Sequence, residues 1–375
     1  MSHRGSNEGS IRKRPDGRWE ARLTISGKQR SVYGTTREAV VRKMRAAMER
    51  QDKGLPIEGH RVTVGQFLDR WLVDCVKPTV RPKTFRSYEM QVRVHLRPTI
   101  GKVPLTKLTP QQVQKLQNDL MAQGSSPSSA QYTRAVLRRA LGQALKWGLV
   151  ARNVVSLVDP PKVERPEIRP MTPEQARQLL SSLRTSGDRL LALYVLALAT
   201  GMRQGELLGL RWEDVDLDRG TVRIRHALQW VDGSARLVEP KTERSRRTLP
   251  IPDLVVRRMR EHQERQHQER HAVGSAWKES GFVFTSVIGT PLDGCNVTKR
   301  FQRALEAAGL PKQRFHDLRH SCASFLLAEG MSPRVVMETL GHSQISITMD
   351  TYAHVMPAQQ REAADKMGAL LASED

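Results

Sequence analysis

The sequence predicts an α+β multidomain chain: a small three-stranded sheet with one helix, then a helical bundle, then a mostly α-helical domain with a small antiparallel sheet. Three observations predict it. The hydrophobic period is two near the N-terminus, helical from Val62 to about Val158, and mixed afterwards. Two breaks separate these regions, Gly54-Leu55-Pro56 through Gly59 and a stretch with four prolines from Pro160 to Pro170, too many for a helix or an interior strand. A chain of 375 residues, 38% of them hydrophobic, is too long for one small domain and can fill more than one core.

The elements follow in order. Residues 1–10 are polar. Trp19, Ala21, Leu23 and Ile25 then alternate with Glu20, Arg22 and Thr24, the pattern of a half-buried strand. Pro15-Asp16-Gly17 and Ser26-Gly27 are turn signals on either side. KQRSVYG supplies another strand, and Thr35-Thr36-Arg37-Glu38 fits a capping box opening a basic helix through about Lys53. Helices are expected at 64–76, 83–96, 110–123 and 128–147, with breakers at Pro78/Pro82, at Pro98-Thr99-Ile100-Gly101 and at Gly124-Ser125-Ser126-Pro127. Beyond the second linker, Thr172 is an N-cap with Pro173 in the first helical position. Residues 190–199 are apolar all round, a buried helix ending at Gly201. Strands are expected at 221–229, 235–238 and 246–251, and a charged helix at 254–268, followed by a loop and FVFT. Helices at 296–308, 317–329 and 333–340 come next, then a final helical stretch including Tyr352. The domain boundaries read from this pass are 1–60, 61–165 and 166–375.

Charge narrows the function. Lys and Arg number 61 against 39 Asp and Glu, a net +22 that favours a polyanionic partner. The excess is uneven: residues 1–61 carry +8, residues 62–160 carry +10 and residues 161–375 only +4. No apolar run is long enough to span a membrane, and MSHRGSNEGS lacks the apolar stretch of a signal peptide. Cys75, Cys295 and Cys322 are odd in number and widely spaced, which suits a reducing compartment. A cytoplasmic nucleic-acid protein is the expectation.

Four segments gather reactive groups: ATGMRQGELLGLRWEDVD with Arg203, VEPKTERSRRTLPI with Lys241, FHDLRHSCAS with His316 and Arg319, and LGHSQISITMDTYAH with His342 and Tyr352. His316 and Arg319, three apart, share one helix face. In order, spacing and context these segments resemble the tyrosine recombinases, the family of phage integrases and Xer recombinases. The catalytic resemblance spans roughly residues 171–356. The order of the preceding modules is similar to that of lambda-type integrases, on pattern alone.

The resemblance implies a site-specific recombinase that integrates and excises a phage or mobile element through a covalent 3′-phosphotyrosyl intermediate and a Holliday junction. Residues 1–60 would be an arm-type DNA-binding domain, 61–165 a helical, SAM-like core-binding domain and 166–375 the catalytic domain. Tyr352 is the implied nucleophile. Arg203 and Arg319 would clamp the phosphate oxygens, because guanidinium forks stay charged and match phosphate geometry. Lys241 would protonate the leaving 5′ oxygen, His316 would move the tyrosine proton, and His342 would bond the phosphate. Glu206 matches an acidic family position that orients its neighbours. The phosphotyrosine conserves bond energy, so neither a metal nor another cofactor is implied. Implied partners are duplex DNA with core-type and arm-type sites, three further copies in a tetramer, a host DNA-bending factor and an excisionase. The implied setting is the nucleoid of a bacterial host's cytoplasm, away from membranes.

Other readings compete. His316 and His320 mimic an H-E-x-x-H zinc motif, but no third ligand is evident and Arg319 between them would repel a dication. Tyr194, within the apolar helix, reads as core, Tyr33 and Tyr88 read as packing or DNA-contact residues, and Tyr132 lies in a helix with basic neighbours. A telomere resolvase or type IB topoisomerase would share the chemistry. A non-catalytic DNA-binding regulator on the same scaffold would have no use for all six groups. The candidate DNA contacts are Arg12, Arg14, Arg22, Lys28 and Arg30 on an open sheet face, and Lys83, Arg86, Arg93, Arg134, Arg138 and Arg139 on helices of the middle domain.

Overall fold

The computed structural model describes residues 10–25, 28–52, 62–164, 169–239 and 246–341, together with 364–365, 367–368 and 371. The chain divides into two compact units, residues 1–165 and 166–375.

The first unit opens with β1 (Ser10–Lys13), β2 (Trp19–Ile25) and β3 (Lys28–Gly34), an antiparallel sheet in that order, followed by α1 (Arg37–Asp52). Alternation sorts its two faces. Leu23, with Val32, packs against Met44, Ala47 and Met48 of α1. On the opposite face Glu20 accepts from Ser31 Oγ at 2.7 Å, Arg12 Nε at 2.8 Å and Arg22 Nε at 3.2 Å. The Ser31 hydroxyl, then Arg12 and Arg22, hold its carboxyl down to about 2.

A helical bundle follows: α2 (Val64–Trp71), α3 (Pro82–Met90), α4 (Arg97–Ile100), α5 (Pro110–Ala122) and α6 (Pro127–Lys146). Thr63 and Thr109 cap α2 and α5 in reciprocal pairs with Gln66 and Gln112. The expected helices at 64–76 and 83–96 are present, but each ends in a wide π turn, over Leu72–Val76 and Gln91–Leu96. Lys77 N–H reaches back five residues to Leu72 O, and Arg97 N–H to Val92 O. Pro98, expected to end the second helix, instead lies inside α4. Its ring cannot sit over a carbonyl four residues back, and the widened turn before it makes room. Phe67, Leu68, Trp71, Leu96, Leu137 and Leu141 form the centre of this core.

In the second unit α7 (Pro173–Thr185) starts on the Thr172 cap, and α8 (Leu191–Thr200) is buried nearly throughout. The short α9 (Gln204–Leu208) precedes β4 (Val215–Asp216), β5 (Thr221–Ile224), β6 (Ala227–Val231), β7 (Ser234–Val238) and β8 (Arg247–Pro250). A single strand was expected over 221–229, and the structure breaks it at Arg225-His226. Arg225 leaves the ladder to pair with Asp214 at 2.6 Å. β5 therefore joins the sheet β4-β5-β8, while β6 and β7 form a separate hairpin. α10 (Asp253–Val273) is longer than expected at both ends. Its buried Gln266 accepts from Trp212 Nε1 at 2.7 Å and donates to Val283 O at 3.1 Å. α11 (Gly294–Ala307), α12 (Asp317–Ala328) and α13 (Pro333–Leu340) complete the described unit. Tyr194 of α8 is fully buried against Phe301 and Phe315, with ring centroids 5.7 and 6.2 Å away. Among the described residues no helix is long and apolar enough to cross a membrane.

Candidate active site

Three of the six candidate catalytic groups, Arg203, His316 and Arg319, lie among the described residues. Lys241, His342 and Tyr352 lie outside them. The three meet where α8 ends. Gly201 closes α8 with φ +61, a left-handed turn that suits a residue without Cβ. A Cβ there would run into Leu340 Cδ2 and lie 3.3 Å from Cys322 Sγ. The bare turn presents the Gly201 carbonyl to Arg319 Nη1 at 2.7 Å. Arg319 comes from the buried face of α12 and is 3% exposed.

Arg203 follows two residues later at the N-cap of α9, in extended backbone. Glu206, one turn on, holds it twice: Oε2 accepts from the Arg203 backbone N–H at 3.0 Å and Oε1 from Nη1 at 2.8 Å. Arg203 Nη2 donates to Gly341 O at 3.2 Å, at the end of α13. The side chain is 39% exposed, so the guanidinium keeps an open edge. The nearby carboxylate of Asp214 pairs with Arg225 instead, at 2.6 Å. Gly209 lets α9 lie directly on β6, since a Cβ there would sit 2.7 Å from Leu228 N.

Glu206 is 4% exposed. Burial alone would raise its carboxyl, but the Arg247 and Arg203 guanidiniums outweigh it and keep the group below its ordinary value. Arg247 was not singled out in the sequence, where Arg246-Arg247 reads as two more charges in a basic segment. In β8 its side chain is only 8% exposed, with Nη2 3.2 Å from Glu206 Oε2 and Nε 2.8 Å from Thr339 O. The available signal was phase: on β8 it shares a face with the core residue Leu249, two positions on.

His316 occupies the N-cap position of α12 without a side-chain cap bond, its ring 5.1 Å from that of His320. His316 keeps an exposed surface, yet the protein packed around its ring pushes it down to about 4, and the positive charge of His320, Arg319 and Arg203 adds to this against Asp317. His316 is thus a neutral imidazole at pH 7, able to accept a proton. Burial lowers His320 as well. Asp317 is held by Arg314, through Nη2 at 2.7 Å and the backbone N–H at 2.7 Å. No group of three or more His, Cys, Asp or Glu side chains that could bind a metal occurs among the described residues. Burial pushes the Cys322 thiol up to about 12, which keeps it protonated and unreactive.

The candidate DNA contacts separate on inspection. Arg12 and Arg22 stand in register with Glu20 and Ser31, and the Arg14 guanidinium lies 5.5 Å from the centre of the Tyr33 ring. The ladder instead pairs Lys28 with Ile25 and Arg30 with Leu23, out of phase with Arg12 and Arg22. The side chains of Lys28 and Arg30 lie outside the described residues. Lys83, Arg86, Arg93, Arg138 and Arg139 are exposed, and Arg139 Nη1 donates to Tyr88 OH at 2.9 Å. Arg134 corrects the expectation. It is 9% exposed, and its Nη2 donates to Val155 O at 3.0 Å and to Val158 O, binding α6 to the segment leading out of the bundle. Basic neighbours on α6 made it resemble Arg138 and Arg139, but helical phase turns it inward.

Comparison with known proteins follows this geometry. Residues 169–359 match the model of the phage integrase family, and residues 63–121 match the phage integrase N-terminal SAM-like domain. The chain is 31% identical over 362 residues to the tyrosine recombinase XerC-like protein of Caldanaerobacter subterraneus subsp. tengcongensis, covering 91% of this chain and 92% of that one. It is 24% identical to the ICEBs1 integrase of Bacillus subtilis, over 96% of this chain and all of that one. Among solved structures it resembles the Tn1549 transposon integrase in complex with a circular intermediate DNA. There the TM-score is 0.69 at 22% identity, covering 82% of this chain and 99% of that one. It also resembles a lambda integrase dimer bound to a COC′ core site, with TM-score 0.58 at 20% identity over 94% and 96% of the two chains.

Proposed function

The chain belongs to the phage integrase family of tyrosine recombinases, enzymes that cut and rejoin DNA, and from that premise we propose how its own residues divide the work. The substrate is duplex DNA carrying a site for integration of a mobile element. The Tyr352 hydroxyl loses its proton to the neutral His316 imidazole, and its oxygen attacks the scissile phosphorus. The bond from phosphorus to the 5′ oxygen breaks, Lys241 protonates that oxygen, and the DNA 3′ phosphate remains on Tyr352. Attack by a 5′ hydroxyl from a partner duplex reverses each transfer and rejoins the strand. Arg203 and Arg319 hold the two non-bridging oxygens as charge builds there, while His342 donates a further hydrogen bond.

The observation that carries the reading is the Gly201 turn. Arg319 bonds its carbonyl, Arg203 leaves it two residues on, and both act electrostatically on His316. Two permanent cations beside a neutral base suit a reaction that builds negative charge while moving a proton.

The module assignments belong to the same proposal. Residues 1–60 bind arm-type DNA, 61–165 grip core-type DNA, and 166–375 carry the chemistry. The lambda integrase solved as a tetramer bound to a Holliday junction supports four copies acting together. A host DNA-bending factor and an excisionase as accessory partners, and the bacterial cytoplasm as the setting, complete the proposal. A nicked suicide core-site duplex tests the assignment. The wild-type chain should form an SDS-resistant covalent adduct in the presence of EDTA, and Tyr352→Phe should form none. Adduct in undiminished yield from that variant would remove Tyr352 from its role.

A further inference from the structure

We propose that Arg247 is a positioning residue for strand cleavage: from β8 it locks Glu206 to the C-terminal end of α13 and so fixes the Arg203 guanidinium. The inference rests on the roles assigned above. It starts from a closed ring of bonds. Arg247 donates to Thr339 O at 2.8 Å and pairs with Glu206 at 3.2 Å. Glu206 holds Arg203 at 2.8 Å, and Arg203 returns to Gly341 O at 3.2 Å.

Each link has a physical reason. The last carbonyls of a helix have no partner within it, and the negative end of its dipole favours cations. Two guanidiniums on the end of α13 meet both needs. A buried carboxylate facing one of them alone would be poorly compensated, and the second completes its pairing. Only a planar fork can hold a carbonyl and a carboxylate at fixed angles, whereas an ammonium is a point charge. Arg247 itself, its side chain 8% exposed, acts through the groups it holds.

The test compares wild type with R247K in full-length protein. It measures single-turnover adduct formation at saturating nicked DNA, DNA affinity by gel shift, and the urea midpoint. Two duplexes are used, one with a scissile phosphodiester and one with a methylphosphonate, which develops one negative charge fewer and leans less on the arginine clamp. R247K should keep its urea midpoint and bind DNA within about threefold of wild type, yet cleave the phosphodiester about a hundredfold more slowly, as a small misplacement of a reacting group does. Its deficit should shrink on the methylphosphonate. Cleavage at the wild-type rate, a loss confined to DNA affinity, or equal deficits on both duplexes would overturn the proposal. If R247K does not fold, R247Q, whose planar amide keeps one of the two bonds, is judged by the same criteria. A wild-type chain that formed no adduct would overturn the Tyr352 assignment instead.

Discussion

Gly201→Ala tests the junction on which the candidate site is built. The substitution adds one methyl group, and the structure says where it goes: into Leu340 Cδ2, and to 3.3 Å from Cys322 Sγ. Two costs follow. Holding a residue with a Cβ at φ +61 costs about 1–2 kcal/mol. Forcing a methyl into a packed core costs about 1–3 kcal/mol more. A loss of about 3 kcal/mol is a large part of the roughly 5–15 kcal/mol that holds a typical domain. For a unit of this size it lowers the melting temperature by about 6–12 °C. Urea unfolding followed by the fluorescence of Trp212, Trp230 and Trp277 measures it in the second unit. Leu340→Ala, itself costly, should relieve part of the clash. The double variant should therefore be more stable than the sum of the single losses by about 1–3 kcal/mol. Because Gly201 O is the acceptor for Arg319, the single variant should also cleave slowly under conditions where it remains folded. An unchanged urea midpoint, or strictly additive losses, would refute the reasoning.

The remaining predictions concern burial and protonation. Arg134→Met strips Val155 O and Val158 O of a buried donor and should cost the first unit about 2–4 kcal/mol without altering the salt dependence of DNA binding. Arg138→Ala, at an exposed position, should leave the urea midpoint in place and reduce the salt slope by about 0.9 if the side chain meets a phosphate; identical behaviour of the two variants would contradict the burial argument. For His316, the folded value of about 4 lies below the 6.5 of an ordinary histidine. Between those values the unfolded chain binds a proton that the folded chain does not, so stability falls as pH drops through this window and levels off below it. The His316 ring resonances should titrate in DNA-free protein with a midpoint near 4, and His316→Gln should flatten the pH dependence of the urea midpoint. A midpoint near 6.5 would end that account.

Much of this was legible in the sequence. The alternation of Trp19 to Ile25 gives β2 directly, and the Thr63, Thr109 and Thr172 caps each open a helix where the Ser/Thr-x-x-Gln pattern stands. The placement of Arg203, His316 and Arg319 was legible because each side chain is fixed by the turn or helix end beside it. What escaped depends on contacts distant in sequence. Arg247 meets Glu206 across 41 residues and Thr339 across 92, and strand phase, which sets it with Leu249, does not reveal either partner. Arg134 finds its acceptors 21 and 24 residues away in a segment without a strong signal. The break in 221–229 arises from the pull of Asp214 on Arg225, again a tertiary effect. The π turns did leave a trace. Val64, Leu68, Leu72 and Val76 are all buried, as are Val92, Leu96 and Ile100. Steps of four residues drift by about 40° each on an α-helix of 3.6 residues per turn, so a stripe kept strictly in fours stays on the core only if the helix widens.

Those wide turns also bear on where the chain could gain or lose a residue. A π turn takes up one residue beyond what an α-helix would need over the same rise, leaving the flanking turns in phase. The stretch Gln91–Leu96 is thus a place where an exposed residue such as Val94 could be gained or lost mid-helix, with Val92 and Ile100 still facing inward. Insertions are usually sought in loops, which tolerate them readily. Against a relative whose helix lacked the wide turn, the alignment gap would belong inside the helix. Placing it at the turn around residues 101–104 would rotate the residue correspondence by one and mispair every position between.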